Sequence, residues 1–549
     1  MTEGAAELAS RRTASRRRRR VDYVAAERRL EIRPVVVVVI FLEFAASLIF
    51  WLLWSSGDDA AGFAAVGLLI AIMTQFPFVL ARHELFSIWG MVALAVTIGS
   101  GVRGIFIAIG YPSRDFVSSF FLGGATFSGL FGPSMVAMAS VGVASVGYMF
   151  AARRRRSAVR EPELTSTDNG EGVDGAEGTP RTSPSRVTWL LNHRAPEGFV
   201  VALAAFYAGV GTLAMIAYTR GVGGLGGSIS QRRGTVAADG STTGTFGYYQ
   251  FLAEASTIGA MILLAYWLAT RKRLGLARML ILGAFFIDAL ALNWVTTTRS
   301  EVVYLAAAVF AVVQIVRGRV SWLGILVAGL VVLLAIGVLT ASRSSSQDGN
   351  GFSLEYGLNS GLLNRNGYDL GKTIRVVQAV PEVLPYQNGA TITVFALAPI
   401  PRSIWPGKPI ISPGREVGQL LYDTTQSGVP PGLTGELVWN WGSTMAIVLS
   451  FVVGLGLGWL ERRFRPTDPG RTAMVVFYAV VLFTLGKNVF GVSVGQAMIT
   501  AIEGILLLIP AAILTRLATR SAHRAAIKAQ ARSRRGSRRV ARTSGYRLQ

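Results

Sequence analysis

Cations, tryptophans and prolines gather in one polar stretch of the chain, between about residues 342 and 442. Its middle reads Pro-Ile-Pro-Arg-Ser-Ile-Trp-Pro-Gly-Lys-Pro, so Arg402, Trp405 and Lys408 share one short run stiffened by proline. Arginine can bind a phosphate through two hydrogen bonds, lysine adds a compact charge, and an indole can stack on a sugar ring. This run is predicted to bind an anionic, sugar-bearing, membrane-tethered ligand. The alternative is a rigid interfacial turn whose cations reach the lipid headgroups.

A carboxylate and two further tryptophans close the same stretch. Glu436 lies close to the next apolar run, where a carboxylate can act as a general base, and we predict that role for it. A helix cap or an ion pair is an equally good interpretation of this position. Trp439 and Trp441 follow, and they are expected to stack against sugars or to anchor the loop.

Three other cations are assigned to the same face of the membrane. Arg299 lies in a short hairpin between two apolar runs, where an ionisable group near the membrane boundary is a functional candidate. A pair with Glu301 or a lipid headgroup contact is the alternative for Arg299. Arg343 begins the polar stretch, and Lys487 lies near the outer end of a late apolar run, so both are predicted to bind substrate.

Apolar runs dominate the rest of the chain, in which hydrophobic residues make up 51% and charged residues 15%. A helix needs about 20 apolar residues to cross a membrane, and twelve runs qualify. They are predicted at 34–55, 62–81, 86–109, 131–151, 198–218, 248–269, 275–295, 301–316, 321–341, 443–460, 471–490 and 493–515. Twelve spans also place every basic cluster on one side, as the positive-inside rule requires. The predicted fold is therefore an all-α bundle of about twelve spans with one large extracytoplasmic loop.

These spans divide the chain into seven parts, with both termini on the cytoplasmic side. They are a basic disordered tail (1–33), spans one to four (34–151), a disordered linker (152–197), spans five to nine (198–341), the large loop (342–442), spans ten to twelve (443–515) and a basic tail (516–549). The net charge is +23. We attribute this charge to orientation and to contact with anionic lipids, and we expect no nucleic-acid partner.

Several kinds of site are absent from the sequence. The 549 residues include no cysteine and three histidines, which excludes disulfides and thiolate sites and makes a histidine metal site unexpected. No Gly-rich phosphate loop and no dinucleotide-binding turn is present in a strand–helix context. We therefore expect no metal and no cofactor, and we expect a lipid-linked substrate to supply the energy. Glycines 454, 456 and 458 lie inside a predicted span and should allow close packing of helices.

The region from Gly389 to Gly458 resembles the bacterial oligosaccharide repeat unit polymerases, the Wzy-type O-antigen and capsule polymerases. The matching pieces are Pro401-Arg402, the run from Trp405 to Pro409, and Gly435-Glu436 with Trp441-Gly442. The hairpin Thr298-Arg299-Ser300 is similar to a short outer hairpin of that family. The long basic tails and the linker at 152–197 depart from the family pattern and suggest additional partners.

The resemblance implies a fold similar to the GT-C type and an activity at the outer face of the bacterial plasma membrane. Such a polymerase transfers a growing glycan from undecaprenyl pyrophosphate to a lipid-linked repeat unit, without a metal or a nucleotide. Arg299, Arg402 and Lys408 would stabilise the leaving pyrophosphate, and Glu436 would accept the proton of the acceptor hydroxyl. A chain-length regulator and a flippase are possible partners of such an enzyme.

Three other functions stay open at this level. An enzyme similar to the O-antigen ligases would handle the same donor and differ in its acceptor. A transporter of lipid-linked glycans would carry charges near the middle of the bilayer and broken helices in two similar halves. An assembly scaffold would use the basic tails to recruit a partner without catalysis.

Overall fold

A computed structural model describes most of the apolar part of the chain. The described residues are 33–81, 84–111, 127–153, 196–221, 246–270, 274–296, 300–318, 320–348, 353, 368–397, 400, 404–405, 413–423 and 428–518. Within these ranges the secondary structure is helical and contains no strand. The predicted tails and linker lie almost entirely outside these ranges.

The helices are numbered α1 to α18 in chain order. They are α1 Arg33–Ser55, α2 Asp59–Leu80, α3 Ile88–Val96, α4 Arg103–Ala108, α5 Phe127–Ala152, α6 Glu197–Gly221, α7 Phe246–Ala253, α8 Ala255–Thr270, α9 Leu276–Thr296, α10 Ser300–Arg317, α11 Trp322–Asp348, α12 Leu370–Ala379, α13 Ala390–Thr393, α14 Pro413–Tyr422, α15 Gly432–Phe464, α16 Thr472–Val476, α17 Phe483–Gly491 and α18 Val494–Ala518. Two π-helical segments, Thr97–Val102 and Phe477–Leu482, join α3 to α4 and α16 to α17. A 3₁₀ turn at Val394–Leu397 follows α13.

Nine helical segments among the described residues are long and apolar enough to cross a membrane. They are Pro34–Ser55, Asp59–Leu80, Ile88–Ala108, Gly129–Ala152, Glu197–Gly221, Tyr248–Thr270, Gly432–Phe464, Thr472–Gly491 and Val494–Ala518. Each coincides with one of the predicted spans. These helices confirm the all-α class and make the chain a multi-pass membrane protein by length and composition, while the count of twelve stays a prediction.

The other three predicted spans, at 275–295, 301–316 and 321–341, are also helical in the structure, as α9, α10 and α11. They are not among the segments that meet the length and hydropathy needed for a crossing, and the apolar part of α11 runs only from Leu323 to Leu339. Each of these helices is bounded by residues that the structure does not describe. The three crossings at 275–295, 301–316 and 321–341 therefore stay predictions.

Close approach of backbones organises the centre of the bundle, where α15 packs most extensively against α5. A Cβ atom at Gly454 would lie 2.1 Å from the Ala144 carbonyl oxygen, and one at Gly458 would lie 2.5 Å from the Tyr148 oxygen. Only glycine permits this distance, which confirms the predicted packing role at these two positions. Gly456 faces open space, so the prediction is wrong there because this position points away from α5.

The described part of the 342–442 stretch contains α12, α13 and α14 with turns between them, and α12 packs on the bundle. Leu370, Ile374 and Val377 of α12 are buried in the same core as the spans. At the other end of the stretch, residues 432–442 already belong to α15, in which Gly442 has φ 80° and ψ 172° and interrupts the helical conformation. The predicted boundary between loop and span therefore coincides with this interruption, and the helical structure begins ten residues before it.

Candidate functional site at one end of the bundle

The predicted site residues divide according to what the structure describes. Arg299, Arg402 and Lys408 lie outside the described residues, and their roles stay predictions. Arg343 lies in the last part of α11. Trp405 is 40% exposed, which leaves its indole accessible to a ligand or to lipid. Of the remaining four, Glu436 and Lys487 each belong to a cluster, and Trp439 and Trp441 lie beside the cluster of Glu436.

The first cluster is the junction, which we define as Glu436 and Asn440 of α15, Thr391 of α13 and the backbone at Val494. Glu436 is completely buried, and its Oε2 accepts a hydrogen bond from the Val494 N–H in the first turn of α18. Because a helix N-terminus carries partial positive charge, it stabilises a carboxylate at this point. Its Oε1 is buried without a hydrogen-bond partner in the described structure, and the Thr391 side chain lies beside the carboxylate.

Asn440 holds the junction together through three hydrogen bonds. Its Oδ1 accepts from the Gly389 N–H at 2.7 Å, and its Nδ2 donates to the Thr391 Oγ1 at 2.7 Å and to the Glu436 carbonyl at 2.8 Å. Gly495 lies against the Thr391 carbonyl so closely that a Cβ atom there would be 2.5 Å from the oxygen. The segment 389–397, which directly precedes the Arg402 run in sequence, is thus fixed to both α15 and α18.

The two tryptophans of α15 hold the start of this segment and the residues just before it. Trp439 is completely buried, and its Nε1 donates to the Pro385 carbonyl at 3.0 Å. Its own carbonyl accepts from the Gln387 N–H at 3.1 Å, just before the interruption at Gly442. Trp441 is partly exposed and packs over Gly389. The predicted anchoring role therefore fits Trp439, because its indole has no exposed face on which a sugar could stack.

The second cluster surrounds Lys487 of α17. The Lys487 Nζ lies 3.1 Å from the Glu301 Oε1 of α10 and 3.1 Å from the centroid of the Tyr304 ring. Glu254 is close enough to interact electrostatically with both Lys487 and Glu301, and Glu503 with Glu254. Glu254 is exposed although it lies within a candidate span, at the boundary between α7 and α8.

Both clusters lie at one end of the bundle, because α17 and α18 are joined by a tight turn. Within that turn the Val492 carbonyl accepts from the Gly432 N–H at 2.9 Å, which brings the start of α15 to the same place. Glu301 follows Arg299 by two residues in sequence. The structure therefore brings the start of α10 next to Lys487, at the end of the bundle that contains Glu436.

A different buried network lies at the other end of α15. Glu461 accepts hydrogen bonds from the Tyr478 hydroxyl at 2.7 Å and the Ile88 N–H at 3.0 Å, and it pairs with Arg465 at 2.7 Å. Arg465 also pairs with Glu84. Glu436 and Glu461 are separated by roughly 38 Å along the helix, at about 1.5 Å per residue, which is enough to place them on opposite sides of a hydrocarbon core about 30 Å thick.

Sequence reasoning missed this network, and it also missed the pair between Arg103 of α4 and Asp369. Both side chains of that pair are buried, their charged atoms are 3.0 Å apart, and Asp369 also caps α12 through the Gly371 and Lys372 N–H groups. The sequence shows an arginine and an aspartate in or beside apolar helices, which indicates that each needs a partner. It does not show that they pair with each other, because they are far apart in sequence.

No group of three or more His, Cys, Asp or Glu side chains in the described part of the chain is arranged to hold a metal ion. Fold and site together define the class of the protein, a multi-pass helical membrane protein with ionisable groups concentrated at both ends of its central helix. Comparison with protein families, curated proteins and solved structures finds no match.

Proposed function

We propose that the chain is an oligosaccharide repeat unit polymerase of the bacterial plasma membrane, acting on glycans linked to undecaprenyl pyrophosphate at the outer face. The observation that supports this most is the position of Lys487, a cation enclosed in apolar helices beside the start of α10. An ammonium group in such a place is a functional candidate by default. Lys487 lies at the same end of the bundle as the segment 389–397, which directly precedes the Arg402 run in sequence.

In the proposed reaction the bond between the anomeric carbon and the pyrophosphate oxygen breaks, and the acceptor hydroxyl oxygen bonds to that carbon. The electron pair of the broken bond stays on undecaprenyl pyrophosphate, and the hydroxyl proton passes to a carboxylate or to solvent. Lys487, with Arg299, Arg402 and Lys408, would stabilise the negative charge on the leaving group. This assignment needs no nucleotide.

Two carboxylates are candidates for the proton acceptor. Glu436 is the predicted base, but its complete burial at the start of α18 means that a substrate reaches it only if the junction opens. Glu254 is exposed at the same end and lies near Lys487. A Glu254→Gln enzyme that keeps its Michaelis constant and loses turnover would identify the proton acceptor as Glu254, and the same result for Glu436→Gln would identify Glu436.

The test is reconstitution of the full chain in liposomes with a lipid-linked oligosaccharide, a chelator and no nucleotide, followed by gel analysis of the glycan. We expect a ladder of repeats that Lys487→Ala and Arg402→Ala abolish. Arg278→Ala is the matched control, because Arg278 forms a partly exposed pair with Glu197 away from both clusters. Absence of a ladder, or a ladder unchanged in both variants, would contradict the proposal. A single transfer to another acceptor would instead identify a ligase.

One observation favours transport as a second candidate function. Glu254 interrupts a candidate span between α7 and α8, and Glu503 lies near it within α18. Charged groups and broken helices inside the membrane are typical of transporters. Movement of the lipid-linked sugar across the same liposomes, without extension of the glycan, would establish this second function.

A further inference from the structure

Lys487 is an enclosed cation whose charge is balanced within the chain. Only 5% of the Lys487 side chain is exposed, and its surroundings are the apolar helices of the bundle. Burying an ammonium group costs several kcal/mol unless an opposite charge compensates for it. The Glu301 carboxylate at 3.1 Å and the face of the Tyr304 ring provide most of that compensation, and the Glu254 carboxylate adds to it from farther away.

The two partners of the ion pair differ in their freedom to move. The Glu301 side chain is 49% exposed and lies in the first turn of α10, so it can rotate away from Lys487 without unpacking the bundle. Lys487 is enclosed and has no such route. Tyr304 lies on the same helix three residues after Glu301, and its ring would stay against the ammonium group after the carboxylate had left.

We propose that Glu301 occupies the anion site on Lys487 while substrate is absent, and that the pyrophosphate of the substrate displaces it. A pyrophosphate carries more negative charge than a carboxylate, and the Coulomb attraction to the ammonium group rises in proportion to that charge. Glu301 would thus keep weaker anions out of the site and act as a specificity residue. The identification of the anion as a lipid pyrophosphate rests on the proposed function.

The proposal predicts competition between Glu301 and pyrophosphate for Lys487. The experiment measures binding of inorganic pyrophosphate, and separately of a polyprenyl pyrophosphate, to the full chain in lipid nanodiscs. Glu301→Gln keeps the size of the side chain and removes its charge, so both ligands should bind about tenfold more tightly, within the range typical of coupling between two ligands. Glu197→Gln removes the charge of a partly exposed carboxylate elsewhere and should leave binding unchanged.

Lys487→Met should abolish the binding, and addition of Glu301→Gln to it should not restore binding. If Lys487→Met fails to fold, the comparison of Glu301→Gln with the parent decides the question, because that variant keeps Lys487. Binding to Glu301→Gln that is equal to or weaker than binding to the parent would overturn the proposal and leave the pair as a structural contact.

The proposal and the proposed function fail in different ways. Tighter pyrophosphate binding in Glu301→Gln, together with no glycan ladder, would retain the anion site and reject the polymerase. A ladder without tighter binding would retain the polymerase and reject the displacement of Glu301. Tighter binding of inorganic pyrophosphate alone would overturn the assignment to a lipid headgroup.

Discussion

Replacement of Asn440 by alanine removes the side chain that joins the segment 389–397 to α15. In the parent protein this amide accepts from the Gly389 N–H and donates to the Thr391 hydroxyl, each at 2.7 Å. After the replacement, the buried Gly389 N–H has lost this acceptor. We expect the segment to open more often, while α15 itself stays folded.

The size of the effect follows from the two lost contacts. A buried N–H group left without a partner costs about 1–3 kcal/mol, and a lost hydrogen bond to a hydroxyl costs about 1 kcal/mol. The third bond, to the Glu436 carbonyl, lies within the helix and adds little. Opening should become easier by about 2–4 kcal/mol, which corresponds to a population of the open state about 30- to 700-fold larger.

Because the chain has no cysteine, a single introduced thiol can report on this opening. Val394 lies in the 3₁₀ turn of the segment and is 7% exposed, so a Val394→Cys thiol should react slowly with maleimide in the parent. Addition of Asn440→Ala should raise the reaction rate by about 30- to 700-fold, if reclosing is faster than labelling.

The control for this experiment is Ser450→Ala, in the same helix. The buried Ser450 hydroxyl donates to the Ala446 carbonyl at 2.7 Å within α15, and this hydrogen bond does not involve the segment, so the labelling rate should not change. A rate in Asn440→Ala that stays close to the rate of the parent would refute the reasoning. The contacts of Trp441 with Gly389 and of Gly495 with Thr391 would then suffice to hold the segment.

Three further predictions concern the thermal unfolding of the purified protein, followed by tryptophan fluorescence. Gly442→Ala should destabilise the protein by about 1–3 kcal/mol, because φ 80° with ψ 172° is a conformation that only glycine adopts readily. An unchanged midpoint of thermal unfolding would show that the backbone relaxes at this position. Gly432→Ala should lower the stability more than Gly442→Ala does. The φ angle at Gly432 is 70°, and a Cβ atom there would lie 2.8 Å from the Phe490 carbonyl oxygen. Equal losses of stability in the two variants would rule out that clash. Arg103→Met should lower the free energy of unfolding by about 3–5 kcal/mol, because it removes the charged partner of buried Asp369. Addition of Asp369→Asn should recover part of this loss. No recovery in the double variant would show that the lost ion pair is not the cause.

The helices were predictable from sequence because the apolar runs are long and bounded by polar residues. The start of α15 was not predictable in the same way: the predicted span begins at 443, whereas the helix begins at Gly432 and is only interrupted at Gly442. The contacts within the candidate site were not predictable from the sequence. Glu436 reaches Val494 across 58 residues, and Lys487 reaches Glu301 across 186, and no local periodicity contains such pairings.

The burial of Glu436 illustrates a second limit of sequence reasoning. A carboxylate close to an apolar run is equally compatible with a base, a cap or an ion pair, as the sequence alone indicated. The structure places it against the first turn of α18, which is a capping contact. What decides between these roles is the position of a helix that begins 58 residues later, and composition gives no information about that position.

The two ends of α15 differ in how their ionisable groups are arranged, and this difference is the reason to look for function at one of them. Around Glu461 the charges are paired with each other and largely enclosed, which suits a contact that stabilises the bundle. Around Lys487 an enclosed cation faces two carboxylates, Glu254 and Glu301, that remain exposed. An ion pair with one exposed partner can open with less unpacking than a network whose members are largely enclosed. If Glu301 turns away, Lys487 is left as an enclosed cation without that partner, and under the proposal above a negatively charged substrate takes its place.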